Sequence, residues 1–384
     1  MEQRLFHIGN IRPPFHAASL LLQVTENCTW NKCNFCTLYR GGQFKMRRLE
    51  EIKQDIDNAA YYRDLILERL KQFDPQTVKK MGTGFTSILT YNEQVCYMTI
   101  LNWIVNDGMK TVFLQAANSI IINKETLCEI VKYLKQTFPT VETVSCYGRA
   151  DALCRLSIQD FKDLKAAGLN MIHSGYESGC DDVLKLLNKG TTRQQQIEAG
   201  IRIKEAGITF NVFYMPGSGG RALSRRNAVE TAEVVNAIDP DFLRIRTFVV
   251  KSGAPMWEIA QGPDFEECSD IEKLLEIRTM IEHLDQKLSC YVISDHIINL
   301  LQHVEGHVDT DKEKMLKYID DFLALPENSR REFQLARRMW GLYDYNDMNQ
   351  LSRQHMEKIH DMSGQARSDE DFEKILASYL RNYI

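Results

Sequence analysis

A chain of 384 residues can hold one large barrel-type domain with an appendage, or two ordinary domains, and can bury a core without help from a metal. Its 47 basic and 52 acidic residues give a net charge of -5, with no positive surplus for a phosphate backbone to attract, so composition argues against a nucleic-acid partner. No apolar stretch reaches the ~18 residues of a membrane span, and the first residues hold no secretion-type apolar core, which points to a cytoplasmic protein with no membrane partner.

In chain order, residues 19–24 read as a short apolar strand that runs through Thr25-Glu26-Asn27 into a cysteine loop. Residues 49–107 break the pattern that follows: two helical stretches, 49–73 and 91–105, flank a Gly82-Thr83-Gly84 loop and read as an insertion. Strand-length apolar runs then recur at 111–115, 141–146, 170–174, 208–215 and 242–250. Between them lie segments of helical period. Residues 124–137 put Leu127, Ile130, Val131 and Leu134 on one stripe, and 157–167 opens on a serine cap and closes near Gly168. Residues 199–206 end at Gly207, and 224–238 is closed by Asp239-Pro240. Beyond about residue 263 the strand signal fades, apart from Tyr291-Val-Ile-Ser-Asp-His296, and the tail from 327 to 384 is charged and helical in period.

Strands alternating with helices predict βαβ units and a parallel sheet carrying functional groups at the strands' carboxyl ends. Six units suit a partial (β/α)6 TIM-like barrel over a doubly wound sheet, giving an α/β core from 1 to 262 and a mainly helical C-terminal region, 263–384, over the barrel mouth.

Ten cysteines in a reducing compartment are expected to be thiols or metal ligands. Seven are scattered, but Cys28-Thr-Trp-Asn-Lys-Cys33-Asn-Phe-Cys36 puts three soft donors on one short loop, which suits zinc or iron and sulfur. A structural zinc site needs a fourth protein ligand, and none lies in register; His16, before the first strand, is the nearest candidate. A cubane cluster with three protein ligands instead leaves one iron open.

With Arg12-Pro13-Pro14 and Leu21-Leu-Gln-Val-Thr25 before it, this loop resembles the opening of the radical S-adenosylmethionine (SAM) superfamily, on the branch with methylthiotransferase-like and Elongator-like catalytic domains. The likeness extends to about Gly262 through Tyr147-Gly-Arg149-Ala-Asp151, Gly175-Tyr-Glu177-Ser178-Gly179, Leu187-Asn-Lys189-Gly190 and Pro216-Gly217. Four residues, not the commoner three, separate Cys28 from Cys33. The resemblance implies a [4Fe-4S] cluster on Cys28, Cys33 and Cys36, whose open iron is chelated by SAM.

It further implies that Phe35 packs near the adenosyl group, that Glu177 reaches the ribose hydroxyls, that Ser178 beside it belongs to the cofactor-binding residues, and that Lys189 meets the SAM carboxylate. The Gln115-Ala-Ala-Asn118 turn, which replaces the family's Gly-Gly-Glu, would face the amino group. Phe210 stands where some members carry a ribose-binding aspartate. The expected reaction is reductive cleavage of SAM to methionine and a 5′-deoxyadenosyl radical, with flavodoxin or ferredoxin as reductant, followed by hydrogen abstraction from a small-molecule substrate.

Candidates for the substrate pocket are Tyr147, Arg149, Arg244, Arg246 and His296, with the two sixth-strand arginines suited to an anion. Ser294-Asp295-His296 reads as a lid or pocket wall, because neighbours on a strand point to opposite faces and cannot form a relay. Two other readings stay open: a non-catalytic zinc or iron-sulfur regulatory module, and a radical SAM enzyme that modifies RNA.

Overall fold

The computed structural model describes residues 4–9, 18–84 and 87–380. It divides into two compact units: one takes the chain up to 31, 41–174 and 202–209, the other 32–40, 175–201 and 210–384.

The first unit is built on parallel strands β1 (Leu20–Gln23), β4 (Thr111–Gln115), β5 (Thr143–Tyr147) and the start of β6 (Leu169–Glu177). Leu20 faces Val112, Val112 faces Val144, and Cys146 faces Ile172 in the ladders. Strands covered on both faces are apolar throughout, and Leu20, Leu21, Leu22, Val112, Phe113 and Leu114 are all buried. Two-residue strands β2 (Thr25–Glu26) and β3 (Lys45–Met46) pair antiparallel on either side of the cysteine loop.

The insertion holds three helices, not two: α1 (Leu49–Leu70), α2 (Pro75–Thr83) and α3 (Tyr91–Asp107). Gly82 and Thr83, expected in a loop, sit in α2. Asp74 caps that helix through the amides of Gln76 and Thr77, and Pro75 occupies its first turn, where a missing N–H costs nothing. Helices α4 (Lys124–Thr137), α5 (Ala150–Leu153) and α6 (Ile158–Ala167) complete the unit; α6 runs from the Ser157 and Asp160 capping box to left-handed Gly168, as expected. The opening segment is tied to this unit by hydrogen bonds from Tyr62 to the Arg4 carbonyl (2.7 Å) and from the Gly9 N–H to Gln115 Oε1 (2.6 Å). Arg12, Pro13, Pro14 and His16 lie outside the described residues.

In the second unit β7 (Thr209–Tyr214), β8 (Phe242–Ile245) and β9 (Tyr291–Ile293) run parallel, with β10 (Gly306–His307) antiparallel on β9. The strand expected over 242–250 stops at Ile245, so Arg246 lies just past its end. The 291–296 stretch is a further parallel strand for three residues and then loop. Helices are α7 (Asp181–Leu186), α8 (Arg193–Glu205), α9 (Gly220–Ile238), α10 (Pro255–Ile259), α11 (Asp270–Glu282), α12 (Val308–Leu323), α13 (Glu327–Trp340), α14 (Arg353–Gln365) and α15 (Asp369–Leu380). The last three share an apolar core of Leu335, Ala336, Ile359, Phe372 and Leu376, so the charged tail is folded structure. Residues 210–384 belong to one unit. No helix among the described residues is long and apolar enough to cross a membrane.

Candidate active site

In the second unit, motifs that are far apart in sequence converge on the stretch carrying Cys33 and Cys36. The Asn34 N–H donates to the Leu187 carbonyl (2.8 Å), its side-chain amide donates to the Leu186 carbonyl (2.7 Å), and its carbonyl accepts from the Met256 N–H (2.8 Å). From the other side the Asn188 amide donates to the Lys32 carbonyl at 2.9 Å. One asparagine between two cysteines therefore locks the loop to the turn after α7 and to the first turn of α10.

That turn delivers Lys189. Its ammonium pairs with Glu177 Oε1 at 3.0 Å and lies 5.6 Å from the centre of the Phe35 ring. Both charged side chains are largely buried, and Phe35 also packs on the apolar cluster of Val183, Leu187, Phe248, Val250 and Met256. A charge pair taken from water is retained only where hydrogen bonding compensates it, and such pairs concentrate at functional clefts. Glu177 itself has φ = 65°, a left-handed backbone that costs a non-glycine residue about 1 kcal/mol and turns its side chain at the carboxyl end of β6.

The flanking glycines sit at close approaches, to side-chain ends at 175 and to backbone at 179. A β-carbon at residue 175 would stand 2.3 Å from Glu177 Oε1, and one at 179 would stand 2.5 Å from the Glu230 carbonyl of α9. Ser178, expected among the cofactor-binding residues, makes hydrogen bonds inside the protein. Its hydroxyl donates to Asn227 Oδ1 (2.5 Å) and accepts from the Cys180 N–H (2.9 Å), and the residue is 1% exposed.

Below Ser178 lies a group the sequence reading missed. Glu276, fully buried on α11, accepts from the Tyr214 hydroxyl (2.7 Å), the Asn227 amide (2.7 Å) and the Gly217 N–H (3.0 Å), and pairs with the Ser224 hydroxyl. Burial pushes its carboxyl up to about 7, while those donors pull the other way. It anchors the Pro216-Gly217 turn and, through Asn227, the Ser178 side chain. The available signal was a carboxylate among Leu274, Ile277 and Met280 on the inward stripe of a helix.

In the first unit Cys28 is half-buried, and the neighbouring Thr29 hydroxyl accepts from the Asn118 amide at 3.1 Å. Asn118, fully buried, also accepts from the Arg149 N–H at 3.0 Å, so it knits the start of the cysteine loop to the turn after β5. Gln115, expected with Asn118 to face the SAM amino group, has its side chain clamped on Gly9. The Arg149 guanidinium pairs with Asp151 (2.9 Å) and lies 5.5 Å from the Trp30 ring centre; Tyr147 packs edge-on against Phe113 and His173.

At the strand ends of the second unit, Arg244 is buried and paired with Asp295, whereas Arg246 is exposed. Ser294 is buried and donates to the Leu301 carbonyl, so no relay joins it to His296. None of the ten cysteines is in a disulfide. Among the described residues no three His, Cys, Asp or Glu side chains are already gathered as an ion site. The fit to an iron-sulfur cluster therefore rests on donor chemistry: three cysteines outside any disulfide within nine residues, the last two on a stretch locked to a buried ion pair.

No family model matches the sequence, and no curated protein is significantly similar. Several solved structures align with the chain at low identity. The archaeal Elp3 of Methanocaldococcus infernus, with an N-terminal deletion, aligns at 13% identity over 72% of this chain and 66% of its own, with a TM-score of 0.43. The cobalamin-dependent S-adenosylmethionine radical enzyme OxsB aligns at 12% over 94% and 57%, TM-score 0.44. Coproporphyrinogen III oxidase (HemN) from Escherichia coli, a radical SAM enzyme, aligns at 13% over 60% and 49%, TM-score 0.36. The chain spans less than two thirds of each of these proteins.

Proposed function

We propose that the chain is a radical SAM enzyme in which Cys28, Cys33 and Cys36 hold a [4Fe-4S] cluster and SAM binds beside Glu177, Lys189 and Phe35. The observation that supports this reading is the convergence of the cysteine stretch, the end of β6 and the 187–190 turn on one buried ion pair. When bound, a cluster with one open iron supplies the electron that splits SAM into methionine and a 5′-deoxyadenosyl radical, which takes hydrogen from a small-molecule substrate.

The residues of this chain would bind and orient. A carboxylate offers about four acceptor sites and Glu177 gives one to Lys189, which leaves acceptors for a pair of ribose hydroxyls. Lys189 has three N–H donors, so it can keep Glu177 and still meet the SAM carboxylate. Phe35, set in an apolar cluster, excludes water from the same corner. A flavodoxin- or ferredoxin-type protein is the proposed reductant.

The test is iron and acid-labile sulfide content after anaerobic reconstitution. A brown protein that loses its iron on changing Cys28, Cys33 or Cys36 to Ala, but keeps it with Cys96→Ala, is expected. A colourless protein that takes up zinc in place of iron would overturn the proposal, because zinc is d10.

A further inference from the structure

Past the end of β8 the chain continues the ladder for two more steps: the Arg246 N–H donates to the Tyr214 carbonyl (2.9 Å) and the Phe248 N–H to the Pro216 carbonyl (2.9 Å). This places Arg246 level with the carboxyl end of β7, whose next residue, Met215, donates its N–H to the carbonyl of Glu177 (2.8 Å). Five residues on, Val250 and Met256 pack with Phe35, so Lys251 leaves the strand beside the cysteine stretch.

The 294–299 loop closes against this segment. Asn299 Oδ1 accepts from both the N–H and the hydroxyl of Thr247 (2.9 Å each), its amide donates to the Ile245 carbonyl (2.8 Å), and Ile298 packs on Val249. Helix α13 fastens the loop from behind: Arg337 donates to the carbonyls of Asn299 (3.1 Å) and Ile297 (2.6 Å), and Arg338 to that of Ile298 (2.9 Å). His296 is thereby held among Arg244, Arg246, Lys251 and Arg337.

These cations are not equivalent. Arg244 has Asp295 and Arg337 has carbonyls. Arg246 and Lys251 have no acidic partner among the described residues, although Lys251 is half-buried. The surrounding charge and burial pull His296 down to about 3, so its ring is neutral. Its Nδ1 accepts from the Ile298 N–H (3.3 Å), which leaves the proton on Nε2 as a donor. Two cations without an acidic partner on the 246–251 segment and one neutral donor on the loop fastened to it make a receptor for an anion.

We propose that Arg246, Lys251 and His296 form the substrate-anchoring site and that the substrate carries a carboxylate or phosphate group held there. This rests on the radical SAM reading for what is done to the substrate, but the anion site itself does not. Arg246 and Lys251 bind the anion, and His296 Nε2 donates to it, fixing the remainder of the molecule toward the cysteine stretch.

Calorimetric titration of the full-length protein with inorganic phosphate, and in parallel with succinate, at low ionic strength and neutral pH tests this. Saturable one-site binding of at least one of the two is expected, weakened about tenfold or more in the Arg246→Ala, Lys251→Ala double variant. The charge-conserving Arg246→Lys, Lys251→Arg variant should retain most of it. Equal anion affinity in wild type and double variant, or no binding of either anion, would overturn the site. So would a parallel loss of SAM affinity in the double variant, which would make these residues SAM ligands. 5′-Deoxyadenosine formation from SAM, measured on the same preparations, separates the two proposals: anion binding through these residues without SAM cleavage sinks only the radical SAM reading, and the reverse sinks only the anion site.

Discussion

Glu177 and Lys189 carry the residue-scale claim. Each is largely buried and each holds the other in place, so a ligand that meets them finds charges already oriented. A hydrogen bond to a charged group is worth about 1.5–3 kcal/mol, so Lys189→Met and Glu177→Gln should each weaken SAM binding by about tenfold or more. Iron content should not change, because neither residue is a thiol ligand. Equilibrium dialysis with labelled SAM checks this, and unaltered affinity in both variants would remove the pair from the binding site. The same pair shows what a motif can conceal. Ser178 lies within the resembling stretch, yet its hydroxyl is engaged by Asn227 and by the Cys180 N–H inside the protein, and no local spacing reveals the bond to Asn227.

Elements meet this site through small residues and one buried acid. Gly179 allows the backbone of α9 to approach the end of β6, and a methyl group there would strike backbone atoms, which cannot swing away. Gly179→Ala is therefore expected to destabilise the fold by about 1–3 kcal/mol in urea unfolding. Unchanged stability would mean that the approach of α9 is looser than described.

Glu276 ties α11 to β7 and α9. Its carboxyl rises from 4.5 to about 7 on folding, so the folded state holds the proton more tightly than the unfolded chain. That contribution to stability is complete below about pH 4.5 and is lost as pH rises through about 7, at about 1.4 kcal/mol per pH unit. Glu276→Gln keeps the shape and removes the titration. Its unfolding free energy should vary less across this window than that of the wild type, and matching slopes would show that Glu276 is not the linked group. At the far end of the same unit, Arg338 and Asp270 form an ion pair that is almost fully buried at 2.7 Å. Arg338→Ala strands the acid and should cost about 3–5 kcal/mol.

Across the whole molecule, what could be read from sequence was what local chemistry dictates. The six expected strands occur, because doubly covered parallel strands are continuous apolar runs, and α4 and α6 begin and end where their caps stand. What could not be read depends on distant partners. The strand at 242 ends after four residues: beyond it the chain still bonds to the Tyr214 and Pro216 carbonyls on one side, but Thr247 is taken up by Asn299, more than fifty residues away. Helix α2 was obscured by the glycine at its end, although Asp74 and Pro75 announce its start. Tyr291–Ile293 carried a strand signal, but its place beside β8 could not be read. At the site, the cysteine trio and Glu177 with Lys189 stood out through spacing and motif. Glu276 and the tail's arginines did not, since their roles are set by packing between remote segments.

The central claim is that this chain uses its cysteine loop to split SAM by one electron. The direct measurement is 5′-deoxyadenosine released from SAM by the reconstituted, reduced protein, compared with the Cys33→Ala variant. The nucleoside should form with the wild type and fall to background in the variant. Equal release from both, or none from a wild type that holds its iron and binds SAM, would contradict the account.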